Sequence, residues 1–463
     1  MSEKMPDVIV LLPGITGSEL KKGDQIIWGW SGRALVKNLL SGGSDYVDSL
    51  WVDQDSADAE TLDDGVTATR LLPDLHMLPG IWKIDGYGAV ADYIKSEFDV
   101  VEGENFHPFA YDWRRDNRSS AHTLMKRSRD WLRDWRAKSG NGKAKLILVG
   151  HSMGGLVSRY FLEVLEGWRD TRALITFGTP YRGSLNAVDG IVNGQYELGG
   201  LLDLSPLARQ MKSLYQLLPT YECLDTGSGS LRRVAEAGLP NGDAEKVKDA
   251  ARFHEEIRLK VEEHERDESY RKDRYRIYPI VGYKQPTNQS ARISGDRAEM
   301  LKTFNNVDMG GDGTVPRASA MPLEQQDAAQ GMFAATKHAA LQNAGAVLTH
   351  LGGLLSGLYF PLGEFRAARP HLAQLSLELD DLYRSDEKVI VRARPSQPVA
   401  ALGATLVDVE SGREVLRTRM TKDSDGAHSV ELPSPRAAAY RVTVEGDGPG
   451  VEPAADAFEV VQV

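Results

Sequence analysis

At 463 residues the chain is too long for one ordinary hydrophobic core, so two or three domains are expected. Its 41% hydrophobic and 26% charged residues are the composition of a soluble globular protein. A net charge of −11 excludes nucleic acid as a bulk partner and disfavours broad adhesion to anionic lipid, although a local patch still admits transient membrane-surface contact. With a single cysteine, Cys223, no internal disulfide and no cysteine-based metal site can form, and neither metal nor cofactor is expected. The opening "MSEKMPDVIVLLPG" has too short an apolar run before Pro13 for a secretory signal, and no stretch reaches the ~20 apolar residues of a membrane helix. A cytoplasmic location is expected.

From Val8 to about Leu355, strand-like runs alternate with helical patterns. "DVIVLLPG", "KLILVG", "ALITFGTP" and "RIYPIVGYKQP" are short and apolar, as buried parallel strands are. Between them "GYGAVADYIKSEFD" and "SSAHTLMKRSRDWLRDWRAKSG" carry apolar residues at helical spacing. The pattern predicts a mainly parallel sheet flanked by helices over residues 1–383. From Leu185 to about Arg274 this rhythm dissolves into a glycine-rich stretch, "LYQLLPTY" and a charged helix, read as a lid or cap insertion. That helix places Val247, Phe253, Ile257 and Val261 near one stripe, and its charges need only water as a partner. After a linker at Arg384–Glu387, residues 388–463 give six short alternating runs between turn signals, which predicts an antiparallel β-sandwich of immunoglobulin-like type.

The chemistry concentrates at "KLILVGHSMGGLVSRYF". Gly150-His151-Ser152-Met153-Gly154 fits G-x-S-x-G between a strand and a helix, the setting of a nucleophile elbow. Small residues around Ser152 let strand and helix approach across a strained turn, and the helix N-terminus favours developing negative charge. Such a serine needs a base and an orienting acid, which α/β-hydrolases supply in the order Ser, Asp or Glu, His. After the late strand comes "NNVDMGGDGTVPRAS", where Asp312 stands between glycines and Asp308 is the second candidate. His338 heads the next helical segment, "KHAALQNAGAVLTHLGG", whereas His151 and His350 read as structural. The oxyanion donors expected are the N–H of Met153, following the nucleophile, and that of Ile15 in the loop "LLPGITGSEL".

Taken in order, "LLPGITGSEL", "YDWRR", "GHSMGG", "FGTPYRGS", "GDGTVP" and "KHAAL" resemble the motifs of the lecithin:cholesterol acyltransferase-like lipases, a group that includes lysosomal phospholipase A2 and phospholipid:diacylglycerol acyltransferase. The resemblance covers roughly Asp7 to Leu355 and implies an α/β-hydrolase core acting on ester-linked lipid acyl chains through a serine acyl-enzyme. By position it implies Ser152, Asp312 and His338 as the catalytic set, with Ile15 and Met153 at the oxyanion. In this family "YDWRR" looks structural, with Asp112, Arg114 and Arg115 tied into a polar network. "IIWGWSGRALVKNLL" lies where the family has a tryptophan-bearing lid, so Trp28 and Trp30 are candidates for acyl contact, core packing being the alternative. The chain departs from the family in lacking lid disulfides, in its 185–274 cap and in its β-rich tail.

Three functional classes therefore compete. One is a lipase, phospholipase or acyltransferase. The second keeps the triad for a non-lipid ester, thioester or amide. The third is a binding or partner-regulated protein on a hydrolase fold, with a protein partner docking on the C-terminal β-domain.

Overall fold

The four apolar runs read as buried strands lie side by side. Numbered along the chain, the central sheet comprises β1 (Val8–Leu12), β2 (Phe106–Pro108), β3 (Leu146–His151), β4 (Thr171–Phe177), β5 (Arg276–Gly282) and β6 (Met332–Ala334). Their order is β6-β5-β4-β3-β1-β2, and every pairing is parallel. All residues of β1 and β3 are buried, which is why both read as unbroken apolar runs rather than alternating ones. In the computed structural model the residues described are 2–29, 48–52, 55, 64–73, 86–197, 202–227, 229–322, 324–325, 331–359, 373–380, 382–409, 411–433, 435–448, 450–451 and 453–462.

The two helical patterns fold as Gly88–Glu97 and Asn117–Ser139. The Asp116 carboxylate caps the second by accepting from the Arg118 N–H, and Gly140 closes it at φ 70°. The helix Met153–Glu163, here the elbow helix, is buried along its whole length. It is covered in part by the charged helix Ala244–His264, whose Val247, Ala250, Phe253, Ile257 and Val261 turn inward. Phe253 stacks on Tyr160 of the elbow helix with ring centroids 5.4 Å apart. Most charges of that helix face outward, whereas Asp249 and Glu256 turn to the buried Arg118 and His264 to the buried Glu163.

Sheet order explains where a site must lie. From β1 the chain crosses to the edge strand β2, whereas from β3 it moves the other way to β4. The loops therefore part company above the carboxyl ends of β1 and β3, the switch point at which open α/β sheets form a crevice. Leu12 pairs with Gly150 and His151 with Phe177, so the ends of β1, β3 and β4 are level there.

Between β4 and β6 the chain is more ordered than its pattern indicates. Short helices Leu185–Val192, Ser205–Gln210 and Lys212–Tyr215 are followed by strands Glu222–Asp225 and Leu231–Arg233. These strands join a hairpin of Ser290–Ser294 and Arg297–Leu301 in one four-stranded sheet. The insertion thus does not close at Arg274, because its sheet recruits chain from beyond β5. A second small sheet of Ser18–Lys22, Gln25–Trp28 and Val66–Leu71 follows β1. Strands of three to six residues with polar alternation leave too little periodicity to be read beforehand.

The chain divides into two compact units, Met1–Leu358 and Tyr359–Val463. The division falls earlier than the expected linker at Arg384–Glu387. Leu375–Glu378 pairs with Val389–Pro395, and Leu382–Arg384 with Ala454–Val461, so residues before the linker are strands of the C-terminal unit. All six alternating runs of that unit are strands, arranged in two sheets on a common core that includes Val391, Leu402, Leu406, Val442 and Phe458. Among the described residues its strands pair antiparallel, except that Leu382–Arg384 runs parallel to its neighbour and an isolated Ala373–Val451 bridge is also parallel.

Candidate active site

Ser152 sits at the β3-to-elbow-helix turn with φ 51° and ψ −122°, a backbone conformation that L-residues rarely adopt. The turn is tight enough that only glycine fits around it. A Cβ on Gly154 would lie 2.5 Å from the Pro13 carbonyl oxygen, and one on Gly155 would lie 2.0 Å from Thr179 Oγ1. The strain is held by the Ser152 N–H donating to the Phe177 carbonyl at 2.9 Å and by Thr179 Oγ1 donating to the Ser152 carbonyl at 3.0 Å.

His338 begins a 3-10 turn, His338–Asn343, after β6. Its Nε2 is 2.9 Å from Ser152 Oγ and its Nδ1 is 2.7 Å from Asp312 Oδ2. Asp312 is buried, and its other oxygen accepts from the N–H groups of Thr314 at 2.9 Å and Val315 at 2.7 Å. The three residues form one hydrogen-bonded relay, assembled from positions 26 and 186 apart in sequence. Gly178, at φ 55°, lies beneath it: a Cβ there would stand 2.8 Å from Asp312 Oδ2 and 2.9 Å from His338 Nδ1. The glycine of "FGTP" is thus part of the site, a role its position after a strand did not disclose.

The second acid candidate is elsewhere. Asp308 is exposed and accepts from Gln289 Nε2 and the Gly310 N–H, so it braces a loop. His350 lies in the helix Gly345–Gly357, outside the relay. His151, beside the serine, is fully buried; burial and then the neighbouring His338 push its pKa down to about 3, so it is a neutral imidazole.

A cavity of about 180 Å³ opens beside Ser152 and His338. Its wall includes Ile15, Ala187, Leu214, Leu217, Val315 and Ala339. Leu214 and Leu217 come from the "LYQLLPTY" segment, which the sequence places in the cap. Ile15 and Met153 lie just beyond the carboxyl ends of β1 and β3. Among the described residues neither N–H has a protein acceptor, whereas the neighbouring Gly14 N–H donates to the Tyr87 hydroxyl at 2.7 Å. Trp28 does not line the cavity. Its ring packs edge-on against Trp113 with centroids 5.0 Å apart, and its indole N–H donates to the Thr16 carbonyl at 2.8 Å. Trp30 lies outside the described residues.

The "YDWRR" motif holds this end of the sheet together. Arg114 is buried and forms a two-bond fork with Asp112 at 2.9 and 2.7 Å, plus a bond to Asp64 at 2.9 Å. Arg115 pairs with Asp55. Trp113 donates to the Ser18 carbonyl at 3.2 Å, and the Tyr111 hydroxyl donates to the Pro13 carbonyl at 2.7 Å. None of these side chains lines the cavity.

The chain is thus a parallel-sheet α/β protein with a Ser–His–Asp relay, its Ser152 and Asp312 buried, at the sheet's switch point. Residues 83–303 match the family model described as lecithin:cholesterol acyltransferase, and the chain is lecithin:cholesterol acyltransferase-like in that segment. The match contains "YDWRR", "GHSMGG" and "FGTPYRGS"; "LLPGITGSEL", "GDGTVP" and "KHAAL" fall outside it. The putative phospholipid:diacylglycerol acyltransferase 2 of Arabidopsis thaliana is 25% identical over 211 residues, 40% of this chain and 30% of that protein. This chain thus matches less than a third of the length of that curated relative. Among solved structures, the mature form of Bacillus licheniformis lipase BlEst2 is similar at 15% identity and a TM-score of 0.33, covering 75% of this chain and 91% of that one. Its propeptide form is similar at 14% identity and 0.32, covering 99% and 95%.

Proposed function

We propose that the chain is a serine acyl hydrolase or acyltransferase of α/β-hydrolase type acting on ester-linked lipid acyl chains. The observation that carries this reading is His338 bridging Ser152 Oγ and the buried Asp312 carboxylate at the mouth of an apolar cavity. In the reaction, Ser152 Oγ attacks the ester carbonyl while its proton passes to His338 Nε2. Asp312 Oδ2 accepts from His338 Nδ1–H, fixing the tautomer that leaves Nε2 free to take that proton. The tetrahedral oxygen is met by the N–H groups of Ile15 and Met153, each contributing on the order of 3 kcal/mol to the transition state. Collapse expels the alcohol, which takes the proton back from His338, and leaves Ser152 acylated. Water or a second alcohol then attacks the acyl-enzyme by the same steps in reverse. Family similarity and the apolar wall of Leu214 and Leu217 support a lipid acyl group.

A second reading, a short or non-lipid ester, draws on the cavity's size of about 180 Å³, which accommodates only a short arm among the described residues. We read the C-terminal unit as an immunoglobulin-like sandwich that supplies no catalytic residue. Comparing p-nitrophenyl esters from acetate to palmitate, free and in mixed micelles, tests the substrate class. Ser152→Ala, which is expected to lose up to about 10⁶-fold in kcat, tests the nucleophile. A Ser152→Ala protein keeping a tenth of the wild-type rate rejects the mechanism. A rate that falls steadily beyond butyrate, with no gain at an interface, favours the second reading.

A further inference from the structure

We propose that Tyr87, Tyr111 and His151 form a positioning clamp on the Pro13–Gly14 peptide, holding the following Ile15 N–H toward the oxygen of the reacting acyl group. The inference rests on the reading of Ser152 as nucleophile and goes beyond it, because neither tyrosine lines the cavity and His151, which does, holds the loop rather than taking part in the relay.

The carbonyl of Pro13 and the N–H of Gly14 belong to one peptide unit, and the structure holds that unit at both poles. Tyr111 donates its hydroxyl to the Pro13 oxygen at 2.7 Å, and the Gly14 N–H donates to the Tyr87 oxygen at 2.7 Å. Both tyrosines are buried, and burial raises both phenols above their ordinary range, so each keeps its proton. Having accepted from Gly14, the Tyr87 hydroxyl still has a proton to place. It faces His151 Nδ1 at 2.9 Å.

The direction of each bond follows from its ends. His151 Nε2 lies 3.2 Å from the carbonyl oxygen of His338, which only accepts, so Nε2 carries the hydrogen. The neutral ring then offers a lone pair at Nδ1, and Tyr87 donates to it. The chain of bonds runs from the oxyanion loop through Tyr87 and His151 to the backbone of His338. Loop, elbow and general base are therefore held in register by a path separate from the Ser–His–Asp relay. This accounts for a histidine next to the nucleophile that the relay does not use.

The loop needs such a hold. Gly14 to Gly17 is a turn closed by the Gly17 N–H donating to the Gly14 carbonyl at 3.1 Å, with Thr16 at φ 63°. Rotation of the Pro13–Gly14 peptide would reorient the Ile15 N–H, and the two hydrogen bonds at its polar ends oppose that rotation. Gly17 closes on the same tyrosine: a Cβ there would lie 2.9 Å from the Tyr87 hydroxyl oxygen.

The test uses the full chain and an alkyl fluorophosphonate, whose phosphoryl oxygen must occupy the oxyanion position as Ser152 is modified. Wild type, Tyr87→Phe, Tyr111→Phe and the double variant are compared for labelling rate constant, labelled fraction at completion, and kcat and KM on p-nitrophenyl butyrate. Each single variant is expected to label and turn over about 10- to 100-fold more slowly, with KM within about threefold and labelling still reaching completion. The double variant should fall short of the product of the two losses, since both hydroxyls hold one peptide. A merely structural lesion would lower the labelled fraction instead of the rate constant. If Tyr87→Phe does not fold, Tyr111→Phe at the other pole decides by the same measures. A folded variant that labels within about twofold of wild type overturns the clamp. Wild-type protein that fails to label at Ser152 overturns instead the nucleophile reading on which the clamp rests.

Discussion

Replacing Asp312 by asparagine removes a charge while keeping the shape, and the surroundings dictate which way the new amide turns. One carboxylate oxygen accepts from the Thr314 and Val315 N–H groups, and the other faces His338 Nδ1 at 2.7 Å. The asparagine oxygen will stay with the two backbone donors, which turns its NH2 toward His338. Nδ1 must then act as acceptor, the ring proton moves to Nε2, and the imidazole can no longer take a proton from Ser152. Turning the amide the productive way would leave two buried N–H groups facing NH2. That costs about 1–3 kcal/mol each, or roughly 2–6 kcal/mol together. At 1.36 kcal/mol per decade this leaves a productive fraction roughly 30- to 3 × 10⁴-fold below wild type. Asp312→Asn should therefore lose between about 30- and 3 × 10⁴-fold in kcat, with KM little changed and the fold intact. The assay is p-nitrophenyl butyrate turnover, with circular dichroism and thermal unfolding to establish folding. A folded Asp312→Asn protein within about fivefold of wild-type kcat refutes both the tautomer argument and the assignment of Asp312.

Two further outcomes follow from the fold. Cutting after Leu358 should leave a soluble unit that labels with fluorophosphonate, whereas cutting after Arg384 should give a protein that associates, because residues 375–378 and 382–384 would be strands without partners; size-exclusion chromatography of the two truncations decides, and equal behaviour would reject the boundary. His264 bridges the buried Glu163 of the elbow helix and Glu166, each at 2.9 Å, and its bond to Glu163, ahead of opposing burial, raises its pKa. A raised pKa means the stabilisation is fully present below about pH 6.5, the unfolded value, and is lost as pH rises through the folded one. The stability difference between wild type and His264→Gln in urea should therefore shrink from pH 6 to pH 9, and a difference that grows would contradict the pairing.

Much of the site was legible because the chemistry is local. A glycine-flanked serine between an apolar strand and a helix leaves its mark in consecutive residues, as do the glycines around Asp312 and the lysine–histidine that opens the last helical segment. The stripe of Val247, Phe253, Ile257 and Val261 was equally readable, since a helix writes its buried face at fixed spacing. Trp28 was not. A tryptophan near the oxyanion loop can face a cavity or the core, and nothing in its neighbours along the chain distinguishes the two. The packing of Trp113 against it does, and Trp113 lies 85 residues away.

Readable along the chain, then, were the run of buried strands, the strand–serine–helix turn, the order of serine, carboxylate and histidine, and the alternating strands of the C-terminal unit. Each depends on backbone periodicity or on steric need within a few residues. It took the folded chain to show that Asp312 rather than Asp308 meets His338, that the cap's sheet draws on residues beyond Arg274, and that the C-terminal unit begins before its apparent linker. It alone also placed Tyr87 and Tyr111 at the two ends of the Pro13–Gly14 peptide. These are contacts between segments 73 to 98 residues apart for the tyrosines and 26 for Asp312 and His338. A hydrogen bond across such a distance constrains where two side chains point and leaves no period along the chain from which to read it.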